Sequence, residues 1–424
     1  MKTPDGYYAP VRFKAINDAL TSTLKMPSLY VLGLGHPTET GKTTRDVKNP
    51  DGSTQTWNTT KSPVTEEQLN LFRKYVDRVV QGAVQTGQPK AAANKFEIWN
   101  EPDLSYLLDV CTQPSTSDPD CEAKKVRAYR NICSVGANAA KADGRSVLAA
   151  CGGVAEPRLS NGNGGYDMNS FAYKLVTSDS FHSADAFSFH TYPGTHEGIR
   201  LHEIAALRQL LTAETKDAKF PIWVTEFGWK SLPYRADEKH VGVSELDQAS
   251  RIVKAAIRLL SATVSKVWVY TLANVGEDVA DAEKDKQRFF GITHSADANM
   301  GSYAPKPAYV AYAHLIRMLN ALDYIRGQDT NDKSPIEWHT FSDGDQEVTV
   351  VWTKNKGNID SHLDIKVDVT AKTDVEITDM VGNHLARSNN GKVSIHLTKG
   401  LPQFISGKVS NIQVSPQEPD SSGK

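Results

Sequence analysis

The sequence predicts an α/β protein with two parts: a (β/α)8 barrel of the TIM type, followed by an antiparallel β-sandwich. Three observations lead to this prediction. Six short apolar segments alternate with helical patterns up to about residue 325, each segment is apolar along its whole length, and short alternating strands follow from about residue 335. Strands that alternate with helices form parallel sheets covered on both faces. A region of this length favours a barrel over an open sheet.

The predicted barrel strands share a run of apolar, β-prone residues that ends in a loop and a helix. They are 28–35, 96–100, 147–153, 186–192, 221–227 and 267–272. Amphipathic helices are predicted between them, for example at 65–84, where Glu66 and Glu67 give an acidic first turn. No GxGxxG sequence follows any of these strands, which argues against a dinucleotide-binding sheet.

The domain limits follow from the change in pattern. The barrel domain is predicted to span residues 1–328, because a long helix at 306–322 closes it. Residues 329–412 contain short alternating strands joined by turn sequences such as SDGD and NNGK, which is typical of an antiparallel sandwich. The polar tail at 413–424 contains Pro and Ser and is predicted to be disordered.

The composition limits the possible partners. There are 48 Lys and Arg residues against 50 Asp and Glu residues, a net charge of −2. This balance argues against nucleic acid or an anionic membrane as the main partner, and a neutral ligand such as a sugar fits it. No apolar run approaches the roughly 20 residues of a membrane-spanning helix. We expect a monomer without a cofactor, and no spacing of Cys or His residues predicts a metal site.

The four cysteines give one predicted disulfide. Cys111 and Cys121 bracket TQPSTSDPD, a loop that cannot pack a core of its own and gains from a covalent link. A bond between them implies an oxidising compartment, so we expect a secreted protein. The alternative is two exposed, reduced thiols. Cys133 falls in a helical pattern and Cys151 in a strand, and because buried free thiols are common their state stays open.

Two of the predicted strands end in a glutamate. The segment FEIWNEP places Glu101 after one strand, and PIWVTEF places Glu226 at the end of another. Groups at the carboxyl ends of barrel strands line the active site. Two carboxylates so placed can flank a glycosidic bond, one as acid and one as nucleophile. A single glutamate at a strand end is more often a surface or salt-bridged residue, so the prediction depends on the pair.

Four segments resemble the clan A glycoside hydrolases. WNEP at 99–102 and TEFGW at 225–229 resemble the two catalytic signatures of that clan. SFHTYPG at 188–194 resembles the end of its sixth strand, and residues 289–315 resemble the stretch after its eighth. The resemblance covers about residues 28–325. Within the clan, the sequence is most similar to the cellulase-like and xylosidase-like families that have a C-terminal β-sandwich.

The resemblance implies a retaining hydrolase of a β-linked poly- or oligosaccharide that works by double displacement. Glu101 would be the general acid/base and Glu226 the nucleophile. Asn100 would hydrogen-bond the sugar 2-hydroxyl. His190 and Tyr192 would lie near Glu226 and help to orient it.

Three more residues are candidates for substrate contact, and a further acid is predicted to be structural. Trp268 and Tyr270 could offer an aromatic platform for an apolar sugar face, and the alternative is that they fill the barrel. His36 is a candidate for substrate contact. Glu97 shares the first signature but lies inside the strand, so it is predicted to be a buried, paired structural acid.

The resemblance also implies that the barrel is incomplete. The segment at 28–35 resembles the third strand of the clan, so strands equivalent to the first two are missing from the chain. We therefore expect a six-stranded open sheet with apolar edges at 28–35 and 267–272. Such edges aggregate, so the isolated chain is predicted to be poorly soluble and weakly active, and the upstream region should restore both properties.

Two other function classes remain open. A catalytically inactive barrel that binds carbohydrate is compatible with missing strands, although the presence of both Glu101 and Glu226 argues against it. An unrelated barrel enzyme, such as a metal-dependent hydrolase or an aldolase, would need a His/Asp cluster or a lysine at a strand end, and the sequence has neither pattern.

Overall fold

The structure is a computed structural model that describes most of the chain. The residues described are 29–33, 42–48, 54–60, 62–83, 94–104, 108, 110–111, 119–145, 147–163, 165–194, 198–231, 242–276, 288–296, 298–299, 301–328, 333–354, 364–388 and 390–415. The predicted substrate contact His36 lies outside these residues. The tail predicted to be disordered at 413–424 does not begin there, because Gln413 and Val414 belong to a strand (Val409–Val414), and the rest of that tail from residue 416 lies outside the described residues. Among the described helices, none combines the length and apolar character needed to cross a membrane.

Six parallel strands form one sheet. They are β1 (Leu29–Leu32), β4 (Asn94–Ile98), β5 (Val147–Val154), β6 (Ala186–Thr191), β7 (Ile222–Phe227) and β8 (Lys266–Val269). Their order across the sheet is β1-β4-β5-β6-β7-β8. Every residue of β4 and β6 is buried, as expected for parallel strands covered on both faces. A separate antiparallel hairpin joins β2 (Lys42–Lys48) to β3 (Thr54–Thr60).

The sheet confirms the predicted incomplete barrel. It has six strands, and β1 and β8 end the order of the strands that the structure describes. The sixth predicted strand is shorter than expected. It ends at Val269, and the next residue, Tyr270, still donates its backbone N–H to the carbonyl of Phe227, the last residue of β7, at 2.9 Å.

Helices follow the strands as the sequence pattern predicts. They are α1 (Glu66–Ala83), α2 (Cys121–Ala140), α3 (Phe171–Val176), α4 (Leu201–Thr215), α5 (Glu245–Ser261) and α6 (Pro307–Leu319). α1 begins with a capping box, in which the Thr65 hydroxyl accepts from Gln68 N and the Gln68 side chain accepts from Thr65 N. Ser244 caps α5 by accepting from Asp247 N at 3.0 Å.

The chain divides into two compact units. The first consists of residues 1–190 and 202–225, and the second of residues 191–201 and 226–424. The division passes through β6 and β7, since it separates His190 from Thr191 and Thr225 from Glu226. The predicted domain limits at residues 328 and 412 stay predictions.

Two disulfide bonds lie in the first unit. The predicted bond joins Cys111 and Cys121, with Cα atoms 5.1 Å apart. The second bond joins Cys133 of α2 to Cys151 of β5, with Cα atoms 5.7 Å apart. The sequence left the state of this second pair open, because the bond depends on the packing of a helix against a strand.

The C-terminal part forms two antiparallel sheets, as predicted for a sandwich. The first has the order β14-β13-β16-β11-β10-β9 and the second the order β15-β12-β17. Their strands are β9 (Asp323–Gly327), β10 (Ile336–Ser342), β11 (Glu347–Thr353), β12 (Ile365–Ala371), β13 (Glu376–Asp379), β14 (His384–Arg387), β15 (Lys392–Leu397), β16 (Gln403–Ser406) and β17 (Val409–Val414). Both sheets contribute to one apolar core, for example through Val351, Val367 and Ile395.

Candidate active site

An irregularity in the pairing of β5 with β6 determines where the backbone of Glu101 lies. The register between β5 and β6 shifts between Cys151 and Val154, and the two residues inside the shift are Gly152 and Gly153, with φ of 130° and 53°. A Cβ on Gly152 would lie 2.2 Å from the backbone oxygen of Ser188, so no other residue fits there. Gly153 then donates its N–H to the Ser188 hydroxyl at 2.9 Å. Such bulges turn a strand locally and often lie beside active sites.

The backbone of Glu101 is hydrogen-bonded to this bulge. Glu101 N donates to the carbonyl of Gly153 at 2.8 Å. Both Trp99 and Glu101 have positive φ, 73° and 43°. A left-handed backbone conformation at a non-glycine residue costs about 1 kcal/mol or more, and such residues are frequent at functional sites. The chain leaving β4 is therefore bent into a fixed conformation that presents Glu101.

The side chain of Glu101 is held by His190. One Glu101 carboxylate oxygen, Oε1, lies 3.0 Å from His190 Nδ1. The imidazole is fully buried at the end of β6, whereas the Glu101 side chain keeps 17% of its surface exposed. The buried ring fixes an acid that solvent or a ligand can still reach.

The other ring nitrogen of His190 faces Glu97. Glu97 Oε2 lies 3.8 Å from His190 Nε2, and both side chains are fully buried. Glu97 Oε1 accepts a hydrogen bond from the Thr225 hydroxyl at 2.6 Å. The prediction of a buried and paired acid at residue 97 is confirmed.

In the second unit, Glu226 is held by Tyr192. The Tyr192 hydroxyl donates to Glu226 Oε2 at 2.6 Å, as expected from the predicted proximity of the two residues. Tyr192 also packs edge-on against Tyr270 and Phe290, with ring centroids 6.3 Å and 5.7 Å away. Tyr270 and Phe290 contact each other at 5.6 Å. An aromatic cluster therefore surrounds the residue that orients Glu226.

The other predicted contacts are placed as follows. Asn100 is half-buried and lies beside Gly33, where a Cβ would be 3.5 Å from the Asn100 Cβ. Trp268 is half-buried within β8. Phe290 was missed by the sequence reasoning, although it lies in the segment 289–315 that carries part of the resemblance.

Polar contacts among buried side chains fix the loops that carry the aromatic cluster. The ammonium group of Lys306 donates to Ser231 Oγ, Asn274 Oδ1 and the carbonyl of Gly291, all within 2.9 Å. Gln248 Nε2 donates to the carbonyl of Trp229 at 2.7 Å. The loops after β7 and β8 are thus tied to the first turn of α5 and to the residue that precedes α6. Sequence reasoning assigned no role to these residues, although Gly291 and Lys306 lie in the segment 289–315 that carries part of the resemblance.

Asp103 lies two residues after Glu101 and carries an unusual pKa. Burial raises the pKa of this carboxyl to about 6, and the charge of Glu101 adds to the increase. One Asp103 oxygen accepts from Ala155 N at 3.0 Å, and Lys125 contacts the Asp103 carbonyl. Asp103 is therefore expected to change its charge near pH 6.

The raised pKa of Asp103 predicts a pH-dependent gain in stability for Asp103→Asn. The folded state prefers the protonated carboxyl, so the native acid begins to destabilise the fold as the pH rises above its ordinary pKa of 3.8, and the effect is complete above about 6. The amide cannot ionise and can still accept from Ala155 N. Urea unfolding should show the variant more stable than the native protein by on the order of 2 kcal/mol near pH 8, and not near pH 4. A variant that is less stable near pH 8 contradicts this account.

This chain resembles known proteins in its three-dimensional structure but not detectably in its sequence. No protein-family model matches the chain. No curated protein matches it either. Among solved structures, a family 39 glycoside hydrolase from the gut symbiont Bacteroides cellulosilyticus WH2 superposes with a TM-score of 0.62 at 18% identity, over 95% of this chain and 72% of that one.

Two further structures have the same likeness. A GH30 endoxylanase from Clostridium papyrosolvens C71 has a TM-score of 0.52 at 12% identity, over 93% of this chain and 87% of that one. A conserved exported protein from Bacteroides fragilis has a TM-score of 0.55 at 12% identity, over 95% of this chain and 81% of that one. At such identities the likeness concerns the fold alone, which in this chain is an incomplete barrel sheet followed by a C-terminal β-sandwich.

Proposed function

We propose that this chain is a retaining glycoside hydrolase that cleaves a β-linked poly- or oligosaccharide, with Glu101 as general acid/base and Glu226 as nucleophile. One observation carries the proposal. His190, in β6, contacts the carboxylate of Glu101, and Tyr192, just after β6, donates to the carboxylate of Glu226. Glu101 follows β4 and Glu226 lies near the end of β7, and the carboxyl ends of barrel strands are where such folds build their sites.

The proposed chemistry follows from the charges of the two acids. In retaining enzymes the carboxyl groups lie roughly 5–5.5 Å apart. Two negative charges at that distance repel each other, so one acid keeps its proton. Glu101 gives this proton to the departing oxygen while Glu226 attacks C1 and forms an ester. The ester has no charge, so Glu101 can then accept a proton from the attacking water, which releases the sugar and restores Glu226.

The neighbouring side chains have supporting roles in the proposal. The hydrogen bond from Tyr192 fixes the carboxylate of Glu226 for attack. Asn100 adjoins Glu101 in the chain and is proposed to bind the sugar 2-hydroxyl, a contact that strengthens in the transition state. Tyr270 and Phe290 offer ring surfaces on which the C–H face of a β-sugar can pack.

The structural neighbours support the general activity. One is described as a family 39 glycoside hydrolase and another as a GH30 endoxylanase. Both are distant in sequence, so the sugar and the linkage cleaved by this chain are open to experiment. Xylan is a reasonable first substrate to test.

The disulfides support a secreted location. Two disulfide bonds are stable in an oxidising compartment and rare in the cytosol. One structural neighbour is described as an exported protein. We propose that the chain acts outside the cell, as a monomer, and light scattering after size-exclusion chromatography would test its mass.

The open sheet favours a second candidate, a barrel that binds carbohydrate without cleaving it. β1 and β8 end the described sheet, so one wall of a closed barrel is absent from the part of the chain that the structure describes. A site held by fewer strands can keep affinity and lose the geometry that catalysis needs.

A screen of β-linked polysaccharides separates the two candidates. Glucan, xylan and mannan are incubated with the native protein and with Glu226→Gln, and reducing ends and binding are both measured. Release of sugar by the native protein alone supports the hydrolase. Equal binding without release by either protein supports the second candidate, and the absence of both binding and release contradicts the two proposals.

A further inference from the structure

We infer that Tyr129 and Lys125 of α2 are positioning residues for the proposed acid/base Glu101, because their side chains fix the two ends of the segment 98–103 that carries it. The inference rests on the proposed function and extends it to a neighbouring helix. The helix, both contacted strands and Glu101 all lie in the first compact unit.

One face of α2 contacts the surroundings of Glu101. Residues four positions apart on a helix are neighbours on the same face. On α2 this face contains Cys121, Lys125, Tyr129 and Cys133. Their partners, in the same order, are Cys111, the carbonyl of Asp103, the carbonyl of Ile98 and Cys151. Each partner is close in the chain to Glu101 or to the bulge in β5.

Tyr129 fixes the beginning of the segment. Its hydroxyl donates to the carbonyl of Ile98 at 2.7 Å and accepts from Gly152 N at 2.8 Å. The pairing of β4 with β5 ends at Glu97 and Ala150. The hydroxyl therefore bridges the two strands just past their last paired residues, where the chain leaves β4.

The hydrogen bonds of Tyr129 have only one possible direction. A carbonyl oxygen only accepts and a backbone N–H only donates. Burial raises the pKa of the Tyr129 hydroxyl well above its ordinary value, so the hydroxyl keeps the proton that it donates. Gly153, which follows Gly152, accepts from Glu101 N at 2.8 Å. The hydroxyl thus also fixes the bulge to which the backbone of Glu101 is bonded.

Lys125 fixes the end of the segment. Its ammonium group contacts the carbonyl of Asp103 and pairs with Glu122 at 2.8 Å. The Lys125 side chain is only 7% exposed. A buried ammonium group is costly unless it is paired and hydrogen-bonded, so this side chain is expected to keep both contacts.

The helix is itself fixed on either side of these two residues. Cys121 and Cys133 join it by disulfide bonds to the loop after Glu101 and to β5. A general acid must lie within hydrogen-bond reach of the leaving oxygen. A displacement of about 1 Å, even one caused by a distant substitution, can lower the rate about 10²-fold. Loss of either contact from α2 is therefore expected to impair the step in which Glu101 gives its proton.

Tyr129→Phe tests the inference through the leaving group. The variant keeps the ring, which packs on Phe171 with centroids 5.7 Å apart. The value of kcat/KM on an unactivated β-glycoside should fall about 10²-fold, because Glu101 no longer meets the leaving oxygen. On an activated aryl glycoside the loss should be much smaller, because that leaving group departs without a proton. An equal loss on both substrates, or no loss on either, contradicts the inference.

Lys125→Met is a second variant, which keeps the inference testable if Tyr129→Phe fails to fold. It retains an apolar stem and removes the contact with the backbone carbonyl of Asp103. The same unequal loss on the two substrates is expected. If the ratio of the two kcat/KM values stays native, Lys125 has only a structural role and the inference is wrong.

Each variant has a matched control. Tyr312→Phe removes a hydroxyl that donates to the carbonyl of Val267 in β8 at 3.0 Å. Glu122→Gln removes the charged partner of Lys125 and leaves the contact with the carbonyl in place. Both controls should keep the native ratio of the two kcat/KM values, whatever their stability.

Hydrogen exchange followed by mass spectrometry tests the inference without any substrate. In Tyr129→Phe, peptides that cover 98–103 and 152–153 should exchange faster, while those from β12 and β15 should exchange as in the native protein. Unchanged exchange at 98–103, or faster exchange throughout the chain, overturns the inference even if the enzyme is active. The expected local increase in a protein without any turnover would sink the proposed function alone.

Discussion

Glu226→Ala is expected to abolish turnover, and added azide is expected to restore it. The alanine removes the proposed nucleophile but leaves a space in which a small anion can attack C1. Azide would attack from the face that Glu226 occupies and would convert a β-glycoside into an α-glycosyl azide. Chromatography of the products with NMR of the anomeric proton measures the outcome.

Glu101→Ala is expected to give the complementary product. The loss should be about 10²–10⁴-fold, the usual contribution of general acid/base catalysis, and smaller on an activated aryl glycoside that leaves without a proton. Azide would intercept the glycosyl ester on Glu226 and give a β-glycosyl azide. Glu376→Ala, at an exposed glutamate of β13, is the control and should keep native kinetics. If the two active-site variants give the opposite anomers, the roles of Glu101 and Glu226 are reversed.

The sequence was most informative where function depends on local position. Glu101 and Glu226 follow apolar runs directly, and the carboxyl end of a parallel strand is where a barrel builds its site. The Cys111–Cys121 bond closes a short polar loop, so spacing and composition were enough to predict it. The acidic first turn of α1, with Glu66 and Glu67, is likewise a local signal.

The missed features depend on contacts between distant segments. The Cys133–Cys151 bond needs α2 packed on β5. Asp103 has a raised pKa because of burial, which the chain around it does not reveal. Lys306 looks like an ordinary polar residue before a helix, and only the fold brings Ser231, Asn274 and Gly291 around its ammonium group. Periodicity predicts which face of an element is buried, but not which polar group it meets.

A buried ion pair gives the largest expected effect on stability. Arg258 of α5 donates from Nε and from a terminal nitrogen to the two oxygens of Glu337 in β10, at 2.8 Å and 2.6 Å. Glu337 is fully buried, and His339 Nε2 lies 3.0 Å from its Oε1. Burial alone would raise the pKa of Glu337, but the hydrogen bonds from His339 and Arg258 and their charges hold it at about 2. The carboxylate is therefore charged in the core and depends on its partners.

Arg258→Met is expected to destabilise the protein by about 3–5 kcal/mol at neutral pH, because it leaves a buried carboxylate without its main partner. The free energy of unfolding in urea measures the loss. The double variant Arg258→Met/Glu337→Met should recover much of it, since apolar residues of similar volume can replace a buried ion pair at little cost. Arg158→Met, at an exposed pair with Glu156, is the matched control and should change stability by less than about 1 kcal/mol.

The pH dependence of the Arg258→Met loss tests its electrostatic origin. The pKa of Glu337 is depressed in the folded protein, so its contribution to stability is complete above its ordinary value of 4.5 and is lost as the pH falls toward about 2. The native protein loses this contribution on acidification, while the variant has already lost it. The difference between the two should therefore shrink steadily below about pH 4.5. A loss that is as large near pH 3 as near pH 7 would show that the missing contacts of the Arg258 stem, and not its charge, cause the destabilisation.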